Sequence, residues 1–322
     1  MSTPTTASSP TISRSPAHGI SEVIAKLDDA VSETAKGRFP DFREAGSKTL
    51  ALIALGLILH GAAEAAAQPA QAEAGGGRSG DAELAKELSN PIADLVSVPV
   101  QVNYDGGYGP DDDGWRITTN VQPVIPFNLN EDWNLISRTI LPIIGQEDIF
   151  PGAGSQFGLG DVTQSLFLSP SRPTASGVTW GVGPVVVLPI ATSSKLGGEK
   201  WGAGPTGVAL VQRGPWTVGA LANHVWSFAG DGDRADVNRS FVQPFASYTT
   251  PTAWTFSLQS ETAYDWQAEA WSVPVNAAVS KLTRIGAVPV SLQAGLGYWM
   301  EAPAAGPEGL RARLAITVLL PR

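Results

Sequence analysis

Hydrophobic and polar residues alternate along most of the chain after residue 95. Residues 96–102 carry valine at every second position, and residues 254–264 place large apolar side chains between Thr, Ser, Gln and Glu. A period of two predicts strands that have one apolar and one polar face. We predict twelve such strands, over residues 95–103, 114–126, 132–144, 159–168, 177–191, 200–212, 215–229, 237–249, 253–265, 271–282, 288–300 and 309–320.

The connections between the predicted strands alternate in length. Those after odd-numbered strands are long, as in residues 104–113 and 145–158, whereas those after even-numbered strands are mostly short, as in residues 213–214 and 250–252. An even strand number with short turns at one end and longer outer loops at the other is typical of bacterial outer-membrane barrels. We therefore predict an all-β fold, a transmembrane antiparallel up-and-down β-barrel of about 12 strands.

All ten tryptophans lie in this part of the chain, at or near the ends of the predicted strands. An indole ring is most stable where one side is apolar and the other is wet, so this placement indicates an aromatic girdle at the membrane interface. The predicted girdle consists of Trp115, Trp133, Trp180, Trp201, Trp216, Trp226, Trp254, Trp271 and Trp299.

The N-terminal third has a different pattern. The apolar run 50–59 follows Lys48 and precedes a series of small residues, and it is too short to cross a bilayer as a helix. This order predicts a secretory signal peptide over residues 48–72. Residues 1–47 are then an N-terminal extension, either disordered or the product of a start codon placed too early. Residues 73–90 are predicted to be a short periplasmic segment, and residues 91–322 the outer-membrane β-barrel.

Composition and charge narrow the functional classes. The formal net charge is −9 without basic clusters, which argues against nucleic acid as a partner. The chain has no cysteine, and a mean hydropathy of +0.02 is too low for a bundle of membrane helices. Asp231, Asp233 and Asp236 resemble only the start of a calcium loop and lack its closing glutamate. The sequence therefore predicts no metal site and no cofactor.

A further indication comes from a series of segments in the predicted barrel, at residues 90–101, 120–144, 158–170, 180–192, 201–206, 220–228 and 306–314. These segments resemble a family of proteobacterial outer-membrane barrel proteins that are labelled only as transporters and are related to the barrel of the meta-pathway of phenol degradation. The resemblance implies a location in the outer membrane of a Gram-negative bacterium and a role in solute passage, and it implies no catalytic residue. The implied partners are membrane lipid and lipopolysaccharide, the outer-membrane assembly machinery and a small-molecule solute.

Polar residues on the polar face of the predicted strands are candidates for the lining of the lumen. Within this set Glu261 has the charge to offset Arg311 and Arg313. A passive channel for small solutes, aromatic or hydrophobic by the family analogy, is the preferred function. Twelve strands lie between filled and open barrels, so a non-conducting structural or surface-interaction barrel stays open as an alternative. The candidates are Arg116, Asn120, Gln122, Gln259, Glu261, Asn276, Gln293, Arg311 and Arg313.

The third hypothesis is a lipid-modifying enzyme. His224 is the one histidine after the predicted signal peptide, and twelve-stranded outer-membrane phospholipases carry histidine and serine on their lipid-facing wall. A serine nucleophile on the same face is expected two residues along the strand, but Trp226 occupies that position. The sequence therefore predicts that the protein is not an enzyme and that His224 lies at the membrane interface.

Overall fold

The computed structural model describes residues 77–320. The predicted N-terminal extension, the predicted signal peptide and the start of the predicted periplasmic segment lie outside the described residues. The described part contains the helix α1 (Gly77–Glu87) and fifteen strands. The strands are β1 (Val96–Tyr108), β2 (Gly114–Val121), β3 (Val124–Asn128), β4 (Trp133–Glu147), β5 (Ser155–Leu159), β6 (Val162–Pro170), β7 (Val178–Leu188), β8 (Lys200–Arg213), β9 (Trp216–Gly230), β10 (Asn238–Thr249), β11 (Trp254–Ser260), β12 (Thr262–Asp265), β13 (Ala270–Ile285), β14 (Val288–Glu301) and β15 (Gly309–Leu320).

These strands form one closed antiparallel barrel with twelve strand positions in its wall. Three positions consist of two successive segments each: β2 with β3, β5 with β6, and β11 with β12. Each strand position pairs with its neighbours in the chain, and β15 pairs with β1 to close the wall, with Arg313 opposite Asn103. The predicted all-β barrel of about 12 strands is therefore confirmed. Within the described residues, no helix is long and apolar enough to cross a bilayer.

The three interruptions in the wall lie beside prolines. The break at Glu261 stands opposite Pro274, the break after Leu159 stands opposite Pro142, and the break after Val121 includes Pro123. Proline has no N–H group and cannot donate to the ladder, so pairing stops there and resumes one or two residues later. The backbone carbonyls stay bonded, since Glu261 N donates to Pro274 O at 3.3 Å.

The outer face of the wall is apolar. Phe256, Leu258 and Leu314 point outward and are 53%, 55% and 62% exposed, whereas Gln259 and Arg313 on the same strands point inward. Exposed apolar side chains around a closed barrel are unfavourable in water and favourable in hydrocarbon. This surface identifies the wall as the part of the chain that spans a membrane.

The interior is divided into an apolar part and a polar part. Along about half of the circumference, buried apolar side chains fill the interior. Among them, Ile136 and Phe167 are 1% and 0% exposed. Ile92, from the segment that leads into β1, packs into this group. We call this group the apolar filler; it comprises Ile92, Ile136, Phe167, Val208, Leu210 and Leu221, with Val124, Phe241 and Phe245 packed against it.

The helix α1 packs against the short-turn end of the barrel, where it contacts β10, β11 and β13. Ala85 of α1 joins a buried cluster with Ala253, Leu282 and Leu319. On the exposed side of the helix, Asp81 accepts hydrogen bonds from Arg284, with 2.7 Å between Oδ1 and Nη2. The helix therefore lies across part of the opening at this end of the barrel.

Candidate solute pathway through the barrel

Two cavities follow each other along the polar part of the interior. The inner cavity, of about 240 Å³, lies at the short-turn end and is bounded by α1 and the segment after it, including Glu87 and Asn90. The outer cavity, of about 640 Å³, lies toward the long loops, and Pro303 and Pro307 of the loop between β14 and β15 contribute to its lining. Together the two cavities extend through the barrel from one end toward the other.

The two cavities adjoin at a zone whose side chains line both of them. Arg138 Nη2 donates to Gln122 Oε1 at 3.0 Å, and Gln243 Nε2 donates to Gln259 Oε1 at 3.2 Å. Amide side chains offer both donors and acceptors to a passing solute or water. We call this zone the glutamine waist; it comprises Gln101, Gln122, Arg138, Gln243, Gln259 and Gln293.

A buried charge cluster lies on the outer side of the waist. Glu261 accepts two hydrogen bonds from Arg313 Nη2, each 2.9 Å long, and forms an ion pair of 3.3 Å with Arg311. Arg311 also pairs with Asp105, with 3.0 Å between Nε and Oδ1. Because both guanidinium groups are at most 7% exposed, the cluster holds charge that water could not solvate well.

Trp299 differs from its predicted place in the interface girdle. Its indole N–H donates to Asp105 Oδ1 at 2.8 Å, its ring lies 5.2 Å from the Arg311 guanidinium, and it lines the outer cavity. The position has inward parity on β14, two residues beyond Gly297, which contacts Arg311 from inside the wall. A strand-end location therefore did not distinguish the inner from the outer face.

The other predicted girdle residues lie on two levels at the outside of the wall. Toward the short turns, Trp133 and Trp180 pack edge to face with 6.1 Å between ring centroids, and Trp216 packs in the same way against Tyr248. Near the long loops, Tyr264 contacts Trp271 at 4.7 Å. The most exposed members, between 41% and 52%, are Trp201, Trp216, Trp226, Trp254 and Trp271.

Most of the predicted lumen candidates lie around the cavities. Arg313 is buried beside the outer cavity, where it is bonded to Asn103 as well as to Glu261. Asn276 is 3% exposed and lines neither cavity, and among residues 77–320 its side-chain amide has no hydrogen-bond partner. The candidates on the outer cavity are Arg116, Asn120, Gln122, Gln259, Glu261, Gln293 and Arg311.

The predicted lumen candidates do not include Arg138, Arg239, Asp105, Gln243 or Gln101, although the alternation in the first strand gives Gln101 the inward parity. Arg138 lies on β4, where Leu, Ile and Pro occupy both faces, so no alternation marks its inward direction. Asp105 falls in a predicted loop, but β1 continues through it to Tyr108. A count of arginines within strand runs would have found Arg138, since an uncompensated guanidinium facing lipid is costly.

His224 has a serine neighbour that local sequence spacing did not reveal. Its Nδ1 atom lies 2.8 Å from Oγ of Ser240, which is opposite His224 on β10, and Trp266 Nε1 donates to the same hydroxyl at 2.9 Å. Ser240 and Trp266 also line a cavity of about 360 Å³ on the outer face of the wall. Within the described part of the chain, His224 Nε2 is buried without a hydrogen-bond partner, so no third group orients the imidazole.

Among the described residues outside the wall, two acids have a clearly shifted pKa, Glu87 of α1 and Asp236. Asp236, in the loop before β10, accepts hydrogen bonds from Lys200 Nζ and Ser227 Oγ, each 3.1 Å long. The bond from Lys200 lowers the pKa of the Asp236 carboxyl, and the bond from Ser227 acts in the same direction. These contacts make the Asp236 carboxylate part of the loop structure.

Solved structures give the comparison for this geometry. An outer membrane channel from Pseudomonas putida F1 aligns with a TM-score of 0.56 and 14% identity, over 70% of this chain and 96% of that one. The NanC porin aligns with a TM-score of 0.44 and 10% identity, over 70% and 100%. Outer membrane phospholipase A of Escherichia coli aligns with a TM-score of 0.43 and 12% identity, over 76% and 98%.

No protein-family model matches the chain, and no curated protein matches it in sequence. At these identities the likeness concerns the fold, and of these three structures the channel of Pseudomonas putida has a TM-score above 0.5. The chain thus has the fold of the outer-membrane barrel channels.

Proposed function

We propose that the protein is a passive channel in the outer membrane of a Gram-negative bacterium. The observation that carries the proposal is the pair of cavities that share the glutamine waist. Together they provide a polar route inside a barrel whose outer face is apolar. The barrel contacts membrane lipid on its outer face. The fold likeness to an outer membrane channel supports the same conclusion.

We also propose that the solutes are small aromatic or hydrophobic molecules and that the protein is related to the phenol meta-pathway barrels. The sequence segments quoted above support both proposals. Contact with lipopolysaccharide and with the outer-membrane assembly machinery follows from the proposed location. Residues 73–90 are assigned to the periplasm, and the long loops to the cell exterior.

Single-channel recording in planar bilayers tests the proposal. The purified protein should give discrete current steps, and Gln293→Trp should reduce their size because Gln293 lies on the waist. The matched control is Leu292→Trp on the same strand, since Leu292 points outward and is 46% exposed. Inserted protein that passes no current would instead support the non-conducting barrel.

A specific observation keeps a second candidate, the lipid-modifying enzyme, in view. The His224–Ser240 hydrogen bond lies on the membrane-facing wall beside a cavity lined mainly by aromatic and β-branched side chains. Serine hydrolysis needs such a pair together with an orienting group and oxyanion donors. A phospholipase assay on vesicles decides the matter: activity that Ser240→Ala and His224→Ala abolish would establish the enzyme, and Ser257→Ala in the lumen is the control.

A further inference from the structure

The charge around the outer cavity has the opposite sign to that of the whole chain. The chain carries −9, but the cavity is lined by two carboxylates, Asp105 and Glu261, and by more guanidinium groups. A solute inside the barrel therefore meets a positive local field, even though the protein as a whole is acidic. The cationic lining residues are Arg116, Arg138, Arg239 and Arg311.

The two carboxylates are already neutralised by a subset of the arginines. Arg311 pairs with both of them, and Arg313 adds a second contact to Glu261. Among residues 77–320, Arg116, Arg138 and Arg239 form no ion pair with a carboxylate. Glu261 and Asp265 act on Arg138 and Arg239 from beyond ion-pair distance, so these guanidinium groups keep their hydrogen-bond donors for water and for the contents of the cavity.

Arg138 has the most favourable position of the three. It is the one charged side chain among the described residues that lines both cavities, because the other members of the waist are neutral glutamines. Its one side-chain hydrogen bond within the described residues is to Gln122, at 3.0 Å. A guanidinium group has five N–H donors, so most of them are available to a ligand where the two cavities adjoin.

The same cavity has an apolar side. Ile140, Leu221 and Phe241 line it, and Leu221 and Phe241 belong to the apolar filler. A solute in the outer cavity can therefore place an apolar body against these side chains while an anionic group faces the arginines. A planar guanidinium binds a carboxylate through two parallel hydrogen bonds, which a point charge cannot reproduce.

We infer that the glutamine waist and the outer cavity form a binding site for small carboxylates with an apolar body, and that Arg138 holds the carboxylate. The inference rests on the proposed channel function and names the solute class that the channel takes. Gln122 positions the guanidinium, and the remaining glutamines of the waist offer amide groups to the solute or its water. The solute binds without covalent chemistry and moves down its concentration gradient.

Reversal potentials across a potassium chloride gradient test the inference. The wild-type channel should be more permeable to chloride than to potassium. Arg138→Gln should lower this ratio by at least about fivefold, which is the effect of a unit charge about 4 Å away on chloride alone at the dielectric constant of water. Arg138→Lys should keep most of the ratio, because the charge remains. Arg213→Gln is the matched control, since Arg213 lies at the exposed end of β8 and contacts the backbone of Ser176.

A second measurement addresses the apolar part of the solute. Millimolar benzoate should interrupt the chloride current more strongly than acetate at the same concentration, and Arg138→Lys should weaken the interruption because the bidentate contact is lost. Equal effects of benzoate and acetate would overturn the apolar subsite.

The outcomes separate this inference from the proposed function. A conducting protein that prefers potassium, or whose ion preference is the same in Arg138→Gln, would refute the carboxylate site and leave the channel standing. A folded, inserted protein without conductance would refute the channel, and the solute class with it.

Discussion

Replacement of Glu261 by glutamine should destabilise the barrel strongly. The carboxylate accepts hydrogen bonds from Arg313 and Arg311, whose side chains are 2% and 7% exposed. The glutamine amide would keep one acceptor oxygen but no charge, and Asp105 would remain as a partner for Arg311 alone. Arg313 would then be a buried cation without a carboxylate partner. It would keep its hydrogen bond to the neutral side chain of Asn103 on β1.

The size of the effect follows from the burial of the two partners. Removal of one member of a buried ion pair costs about 3–5 kcal/mol, because it leaves an uncompensated charge. The Glu261 side chain is 23% exposed, so water can reach this position and partly solvate the guanidinium groups that lose the carboxylate. We therefore expect a loss of about 3 kcal/mol in the free energy of unfolding, at the lower end of that range.

Urea unfolding of the protein folded into lipid vesicles, followed by tryptophan fluorescence, measures this loss. Glu301→Gln is the control, since Glu301 is exposed at the end of β14. In the Glu261→Gln background, Arg313→Met should recover part of the stability because it removes the unpaired charge. A Glu261→Gln loss no larger than the control, or a further loss in the double variant, would refute the reasoning.

The fold supports three further predictions. Leu258→Arg should impair folding into vesicles, because an arginine facing lipid at the midplane costs about 2–4 kcal/mol, whereas Gln259→Arg should have a much smaller effect; equal losses would show that the two faces are misassigned. An epitope tag after Gly232 should be accessible on intact cells and one after Thr174 should not, and the reverse result would invert the barrel in the membrane. Burial, followed by repulsion from acidic neighbours, raises the pKa of the Glu87 carboxyl. The group therefore favours the folded state at pH values below its ordinary pKa, and this contribution is lost as the pH rises through the raised value. Thermal unfolding of Glu87→Gln should depend less on pH over that interval, and an unchanged pH profile would contradict the assignment.

The sequence was sufficient for the barrel because several independent patterns agreed. Strands such as β11 and β15 alternate cleanly, and each of the twelve strand positions was found within a few residues of its observed bounds. Prolines within the strands conflict with this pattern, because proline cannot donate to the ladder. At three places the ladder is interrupted beside a proline, as at Glu261 opposite Pro274, whereas Pro99 and Pro244 lie within unbroken strands.

The pathway itself was harder to predict, because its residues depend on contacts between distant strands. The pairing of Arg313 with Asn103 and with Glu261 joins positions 210 and 52 residues apart. Parity along β15 shows that Arg313 points inward, but it does not show which acid meets it. Likewise, the hydroxyl near His224 comes from the neighbouring strand, and only the register between β9 and β10 places Ser240 there.

The apolar filler explains both the failure of the pattern on β4 and the position of the pathway. A barrel strand reads as alternating only if its inner face meets water, and Ile136 on β4 instead meets Phe167 and its neighbours. Strand number therefore sets the circumference of this barrel but not the width of its passage, since the filler occupies part of the cross-section. The remaining polar part carries the glutamine waist and the arginines that no carboxylate among residues 77–320 neutralises. In the channel that we propose, the filler would limit the size of the solute and Arg138 would select its charge, two properties that sequence alternation alone does not report.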